Sequence, residues 1–264
     1  MTQKIALISN GWLGDSIACT AAAVSIYEER GVKVDFYCKW KQLQPILGQD
    51  KRYNFVLFNE SFLGNFFLKN KLKRYTKIYK EPFPWSYKEP FTSEIRRLVG
   101  CDPSPQISID LKLKRNNLKI NPQVAISRDL YSRNFGRDID EFIRVLSMKT
   151  KIVWVGLSPH KSSKRGKRKR LIDDLQVILA SEAFIGPEGG LMWLSGSVGV
   201  PTIYFSENIE DVNKKIKSGN AWSSLGAENI WGSEIHCCLP PFCTNELAIE
   251  KIEGHLSNIK NNLI

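Results

Sequence analysis

Residues 184–205 constrain the fold of this chain more than any other stretch, because they combine a strand, a glycine turn, a helix and a second strand. Residues 183–186 are apolar, and the next four residues, Pro-Glu-Gly-Gly, form a turn. The small and apolar side chains that follow predict a helix, which Gly199 ends and Pro201 prevents from continuing. Residues 202–205 are rich in β-forming side chains. The pattern predicts a β-α-β unit of an α/β protein.

The turn in this unit offers a binding point for phosphate groups. It would lie at the carboxyl end of a strand, where the N–H groups of Gly189, Gly190 and Leu191 at a helix N-terminus attract anions. Glu188 adds a hydrogen-bond acceptor for the hydroxyl groups of a sugar or ribose. A tight turn without a ligand explains the same glycines equally well, so the residues alone leave both interpretations open.

The start of the chain predicts a second unit of the same kind. Residues 4–9 are typical of a short buried strand, and residues 16–30 carry apolar side chains at helical spacing until Gly31 ends the helix. A strand over residues 32–37 completes the unit, which implies a parallel sheet. Ligands of such sheets bind at the carboxyl ends of the strands, and Asp15 lies at this end, at the start of the predicted helix.

The remaining patterns divide the chain into two units of alternating strands and helices. We predict a Rossmann-like domain over residues 1–120, a second one over residues 121–244, and a last helix within residues 245–264 that packs back on the first domain. Asp138 and Asp140 stand at a predicted helix start, so we interpret them as a cap rather than a metal site. Further strands are predicted at residues 53–58, 107–113, 123–127 and 151–157, a linker at 114–122, and further helices at 40–47, 93–99, 139–146, 171–180 and 245–259.

Residues 59–92 interleave aromatic side chains with lysines. Such a stretch can stack and neutralise an extended anionic ligand. It can also be core whose lysines extend to the surface, and this second interpretation is favoured.

Composition excludes several classes of protein. No apolar run reaches the roughly 18 residues that a membrane-spanning helix needs, and the N-terminus lacks a secretory signal. We therefore expect a cytoplasmic protein, with a peripheral membrane contact left open. The spacing of the six cysteines requires no disulfides. His236, Cys237, Cys238 and Cys243 are irregularly spaced, which favours buried thiols over a zinc site.

The charge of the chain is concentrated in its first half. Residues 1–145 hold 24 Lys and Arg against 15 Asp and Glu, which accounts for +9 of the net charge of +11. Residues 161–170 hold much of the remaining positive charge. Basic surfaces favour anionic partners, although they also serve solubility, and the run at 161–170 is either a solvated loop or an arm that reaches phosphates.

Two stretches near the strand ends carry motifs of a known family. Leu13-Gly-Asp-Ser16 is similar to the Gly-Asp turn of glycosyltransferase family 9, the heptosyltransferase-like enzymes. Val124-Ala-Ile-Ser-Arg128, with Arg133 and Asn134, is similar to the strand and basic loop that open the family's nucleotide-binding domain.

The third and most specific stretch is residues 186–201. It resembles the family's Gly-[Asn/Pro]-Asp-[Ser/Thr]-Gly-x-x-His segment, followed by a helix and Gly-x-Pro. Glu188 stands where the family has Asp, Gly189 where it has Ser or Thr, and Trp193 where it has His.

The resemblance implies an α/β fold of the GT-B type, in which two Rossmann-like domains face a cleft. It also implies an inverting transfer that needs neither a metal nor another cofactor, with Asp15 as the base. A helix N-terminus would keep Asp15 ionised but weakly basic, and Asp15 could instead serve only as a helix N-cap. The donor would contact Arg128, Arg133, Asn134, Glu188, Gly189, Gly190 and Leu191, and acceptor or phosphate groups would contact Trp12, Gly14 and Lys164.

We therefore expect a glycosyltransferase that moves a sugar from a nucleotide-diphosphate sugar to an anionic acceptor, such as lipopolysaccharide core or another surface glycan. One alternative is a DNA-modifying glycosyltransferase that acts on a modified base. A second alternative is a non-catalytic protein that binds a nucleotide-sugar or a nucleic acid. Both interpretations of the sequence as a transferase require the turns at Asp15 and at Gly189 to face each other.

Overall fold

The computed structural model describes residues 3–81, 91–102, 121–132, 138–156, 171–205, 236–239 and 244–262. These residues form two parallel sheets with flanking helices. The first sheet has the strand order β3-β2-β1-β4. Its elements are β1 (Ile5–Ser9), α1 (Leu13–Arg30), β2 (Val34–Cys38), α2 (Gln44–Leu47, preceded by a 3-10 turn at Lys41–Leu43), β3 (Tyr53–Leu57), α3 (Phe62–Leu72), β4 (Lys77–Lys80) and α4 (Phe91–Leu98).

The second sheet has the strand order β6-β5-β7-β8-β9. A 3-10 turn at Arg128–Ser132 follows its first strand. Its elements are β5 (Asn121–Ser127), α5 (Ile139–Lys149), β6 (Lys151–Val155), α6 (Leu171–Leu179), β7 (Ser181–Pro187), α7 (Gly190–Ser197), β8 (Thr202–Phe205), β9 (Cys237–Leu239) and, numbered α8, the helix Asn245–Asn262.

The predicted β-α-β units are present, and several boundaries differ from those expected. α1 begins at Leu13 rather than at residue 16, so Asp15 lies inside the first helical turn. α3 and β4 occupy a stretch for which the sequence predicted no element. β5 begins at Asn121, within the expected linker. The strand expected at residues 107–113 lies outside the described residues.

One hydrophobic core connects the two sheets through α1 and α7. α1 is fully buried from Ser16 to Ile26, and its many alanines let neighbouring elements approach closely. The same core cluster includes Phe184 of β7 and Met192 and Trp193 of α7. The two units therefore meet through packed helices, which fixes the carboxyl ends of both sheets near one seam.

α8 packs on the second unit, which differs from the expectation that it packs back on the first. Its buried Ala248 and Ile252 belong to the same apolar cluster as Phe142 and Leu146 of α5. Lys149 of α5 also forms an ion pair with Glu253 of α8, with Nζ 2.8 Å from Oε1.

The aromatic and Lys-rich stretch, residues 59–92, contains both exposed rings and rings whose hydroxyl groups form hydrogen bonds. Phe66 and Phe67 of α3 are 55% and 62% exposed. Tyr75 and Tyr79 instead donate hydrogen bonds from their hydroxyl groups, to Asp35 Oδ2 at 2.5 Å and to the Val99 carbonyl at 2.8 Å. In its described part the stretch is thus neither wholly core nor a continuous stacking surface.

Candidate active site at the seam of the two sheets

The turn between β1 and α1 presents Asp15 at the carboxyl edge of the first sheet. Trp12 is the residue before α1, and its backbone N–H donates to Asp15 Oδ2 at 2.8 Å. The Trp12 carbonyl accepts from Ser16 N at 3.0 Å, which closes the first helical turn. The Trp12 side chain is 79% exposed at the rim. Asp15 therefore occupies the third helical position rather than the N-cap itself, and its carboxylate helps to cap α1 by accepting the Trp12 N–H.

A second carboxylate, Glu81, lies beside Asp15. It follows β4 directly and accepts hydrogen bonds from Ser9 Oγ at 2.5 Å and from the Gly11 N–H at 3.0 Å. A Cβ atom on Gly11 would collide with the Glu81 carboxyl group and would come within 2.7 Å of Asp15 Oδ2. The two carboxylates thus lie together on the side of Gly11 where a side chain would project. Glu81 is only 8% exposed.

The surroundings of Asp15 raise the pKa of its carboxyl group. Burial raises the pKa of the Asp15 carboxyl, the hydrogen bond from the Trp12 N–H lowers it in part, and the negative charge of Glu81 raises it further. A base with a raised pKa accepts a proton more readily at neutral pH. A helix N-terminus alone would lower this pKa, so the shift runs opposite to the one that the sequence predicted.

The turn between β7 and α7 meets the Asp15 turn directly. A Cβ atom on Gly14 would lie 2.5 Å from Cδ1 of Trp193, and one on Gly190 would collide with the Leu13 side chain. Each glycine thus accommodates a side chain of the opposite helix. Trp193, which replaces the histidine expected from the resemblance, is 6% exposed and fills the space above Gly14.

Of the residues predicted to bind the nucleotide-sugar donor, those that the structure describes lie at the carboxyl edge of the second sheet. Arg128 Nη1 donates to the carbonyl of Gly156 at 3.3 Å, just beyond β6. A Cβ atom on Gly156 would lie 3.2 Å from Leu191 Cδ1, so the start of α7 lies over the same edge. Glu188 and Gly189 are partly exposed there. Arg133, Asn134 and Lys164 lie outside the described residues.

A cavity of about 570 Å³ opens beside the Asp15 turn, at the ends of β2 and β3. Lys39 Nζ and Trp40 Nε1 form one wall and donate to the carbonyls of Asn10 and Gly11, at 2.7 and 3.1 Å. The sequence did not indicate this cavity. It is lined by Lys39, Trp40, Leu57, Phe58, Asn59 and Glu60.

Asp138 caps α5 as expected, because its Oδ1 accepts the Glu141 N–H at 3.0 Å.

His236 is 4% exposed, and burial lowers its pKa to about 3, with a further contribution from His255. Within the described ranges no three metal-ligating side chains come together. No helix in these ranges is both long and apolar enough to cross a membrane.

No protein-family model and no curated protein sequence matches this chain. Solved structures do resemble it. E. coli heptosyltransferase WaaC with ADP has a TM-score of 0.66 at 12% identity, over 96% of this chain and 100% of that one. E. coli ADP-heptose lipopolysaccharide heptosyltransferase II has a TM-score of 0.62 at 11% identity, over 98% of this chain and 100% of that one.

Two further structures extend the comparison. A glycosyl transferase family 9 protein from Veillonella parvula has a TM-score of 0.57 at 9% identity, over 98% of this chain and 99% of that one. The iron-containing dodecameric glycosyltransferase TibC from E. coli has a TM-score of 0.54 at 13% identity, and this chain covers 60% of its length. The predicted fold is thereby confirmed: this chain has the two-domain α/β fold, of the GT-B type, that heptosyltransferases have.

Proposed function

We propose that this protein is a glycosyltransferase that moves a sugar from a nucleotide-diphosphate sugar to an acceptor hydroxyl group, with Asp15 as the base. The observation that carries the proposal is the position of Asp15. Its carboxylate has a raised pKa, lies next to Glu81, and stands where the carboxyl edge of the first sheet meets the start of α7. WaaC was solved with ADP and with ADP-2-deoxy-2-fluoro heptose, and TibC in complex with ADP-D-β-D-heptose, which supports a nucleotide-diphosphate donor.

The transfer needs one proton acceptor and one stabilised leaving group. Asp15 removes the proton from the acceptor hydroxyl as its oxygen attacks the anomeric carbon of the donor. The bond from that carbon to the diphosphate oxygen breaks, and the nucleoside diphosphate leaves with the electron pair. Attack from the face opposite the leaving group inverts the anomeric centre.

The second sheet supplies the groups that receive the diphosphate charge. The N–H groups at the start of α7, on Gly190 and Leu191, and the Arg128 guanidinium lie at one edge of this sheet. Such donors stabilise a developing anion most effectively where water is excluded. Glu188, at the same turn, is the acceptor for donor hydroxyl groups. Because these N–H groups and Arg128 take the diphosphate charge in this proposal, the transfer needs no metal ion, and added EDTA should leave the rate unchanged.

The acceptor is expected to bind the first unit. The positive charge of residues 1–145 favours an acceptor that carries anionic groups, for which lipopolysaccharide core or another surface glycan is a chemically suitable class. One protein of similar structure is an ADP-heptose lipopolysaccharide heptosyltransferase, which agrees with this class.

The test is donor turnover in matched variants. ADP release from ADP-heptose is measured with a lipopolysaccharide core fraction, and donor binding is measured separately by thermal shift. Asp15→Asn should abolish transfer while it preserves donor binding, and Arg128→Met should weaken donor binding. Asp138→Asn is the control, because Asn also caps a helix well and α5 is not part of the site. Full transfer activity in Asp15→Asn would overturn the assignment, and donor binding without any turnover in the wild type would identify a binding protein instead.

A further inference from the structure

We propose that the cavity between the ends of β2 and β3 is a subsite for an uncharged sugar ring, which presents its hydroxyl group towards the Asp15 turn. This inference builds on the proposed function and names the part of the acceptor that enters the first unit. It refines the expectation of an anionic acceptor, because the anionic groups would then lie outside the cavity, on the basic surface around it.

The size and position of the cavity suit a ring next to the carboxylates. Small-molecule sites typically measure about 300–1,000 Å³, and this cavity of about 570 Å³ lies within that range. Its wall is tied to the catalytic turn, because Trp40 Nε1 donates to the Gly11 carbonyl at 3.1 Å. Gly11 is the residue beside whose Cα atom both the Asp15 and the Glu81 carboxylates lie. A ring against this wall therefore lies next to the turn that carries Asp15.

The charges of the cavity cancel each other. Lys39 Nζ is 3.0 Å from Glu60 Oε1 and also donates to the Asn10 carbonyl at 2.7 Å. Among the described residues of the lining, the one cation is thus committed to the one anion and to the backbone. A sugar carboxylate or phosphate would gain little from this compensated ammonium and would be repelled by the Glu60 carboxylate. A neutral ring meets no such cost.

The remaining lining offers the mixture of surfaces that a sugar ring recognises. Leu57 is 40% exposed, and with Phe58 it forms an apolar wall. The Trp40 ring is held in place by its bond to Gly11 and by the Lys39 ammonium 5.6 Å from the ring centroid. An indole face attracts the C–H groups of a pyranose. The Asn59 amide and the Glu60 carboxylate offer donors and acceptors for hydroxyl groups.

The test compares a neutral glycoside with a sugar acid on the full-length protein. The probes are methyl α-D-mannopyranoside and methyl β-D-glucuronide, and the readout is the indole N–H signal of Trp40, assigned with Trp40→Phe. The wild type should bind the mannoside about fivefold or more tightly than the glucuronide, which corresponds to one charge repulsion near a surface. Trp40→Leu should weaken mannoside binding while the protein stays folded, as judged by its thermal midpoint.

Glu60→Gln should shift the binding preference from the mannoside towards the glucuronide. This side chain is about half exposed, so the substitution should not disturb the fold. Because it releases Lys39, the glucuronide should gain affinity relative to the mannoside. Equal or tighter glucuronide binding by the wild type, mannoside binding that survives Trp40→Leu, or no binding of either probe at high millimolar concentration would each overturn the subsite. Binding is measured without turnover, so loss of the proposed catalytic role of Asp15 would leave this result standing.

Discussion

Substituting Gly14 with alanine tests the contact between the two units at its tightest point. The new Cβ atom would lie 2.5 Å from Cδ1, 3.2 Å from Nε1 and 3.4 Å from Cγ of Trp193. The obstacle is a rigid ring that is 6% exposed, so no flexible chain end can move aside. Overpacking of this kind costs about 1–3 kcal/mol. Alanine in place of glycine in a helix returns up to about 1 kcal/mol. We therefore expect a net loss of up to about 2 kcal/mol in the free energy of unfolding.

Gly254→Ala is the matched control. Gly254 is an exposed residue within α8, and a Cβ atom there would meet nothing within 4 Å. The same substitution should therefore stabilise the protein by about 0.5–1 kcal/mol. The two variants should differ by about 1–3 kcal/mol, and each kcal/mol shifts the thermal midpoint of a chain of this size by about 2–4 °C.

A double-mutant cycle identifies the contact that causes the loss. Trp193→Leu removes the ring, so Gly14→Ala should cost less in the Trp193→Leu variant than in the wild type. The coupling free energy, measured by urea unfolding, should be about 1–3 kcal/mol. Equal stabilisation by both glycine substitutions, or effects that add within about 0.5 kcal/mol in the cycle, would refute the direct packing of α1 on α7.

Substitutions at three further positions test local interactions. Because burial lowers the pKa of His236 to about 3, the unfolded chain alone takes up this proton as the pH falls below 6.5. Stability should drop by up to about 1.4 kcal/mol per pH unit between those values. His236→Leu should reduce that slope in urea titrations at pH 7 and 5. Arg96→Met should cost about 1–3 kcal/mol, because Arg96 is 2% exposed and donates to the Glu29 carboxylate and the Asp102 carbonyl, while Glu29 still accepts the Asp102 N–H. Ser61→Ala should cost about 1 kcal/mol and Ser61→Asp much less, since Ser61 Oγ accepts the Gly64 N–H at the start of α3.

The sequence predicted those elements whose signals are local. Gly31 and Gly199 end their helices with φ angles of +65° and +73°, conformations that glycine adopts without strain. Asp138 caps α5 from the expected position. In these cases a short-range rule and the tertiary structure favour the same conformation, so the pattern sufficed.

The start of α1 was missed for a tertiary reason. Gly14 lowers the helical propensity of the first turn, and Trp12 is an unusual residue before a helix. Glycine is nevertheless suited to this position, because Trp193 occupies the space that a Cβ atom would need. The reason for the glycine lies about 180 residues away along the chain, where no local pattern could reveal it.

Glu81 was missed because its position depends on strand register. β4 is a short, lysine-bearing strand at the edge of the described first sheet, and such strands carry little hydrophobic signal. Its pairing with β1 sets Ile8 opposite Lys80 and lets Glu81 N donate to the Ile8 carbonyl at 2.9 Å. Only this register carries the Glu81 carboxyl to the turn that follows β1.

Glu81 therefore joins the architecture of the turn to the chemistry proposed for it. The same carboxylate accepts the Ser9 hydroxyl and the Gly11 N–H, which holds the turn, and its charge raises the pKa of Asp15. A neutral glutamine at this position could keep an acceptor for Gly11 but would withdraw the charge. The electrostatic part of the role can thus be separated from the structural part, since only the former changes the titration of Asp15. Glu81 is thus both the neighbour of the proposed base and the residue that shapes the turn. For this reason the proposed site requires the edge strand to be in register.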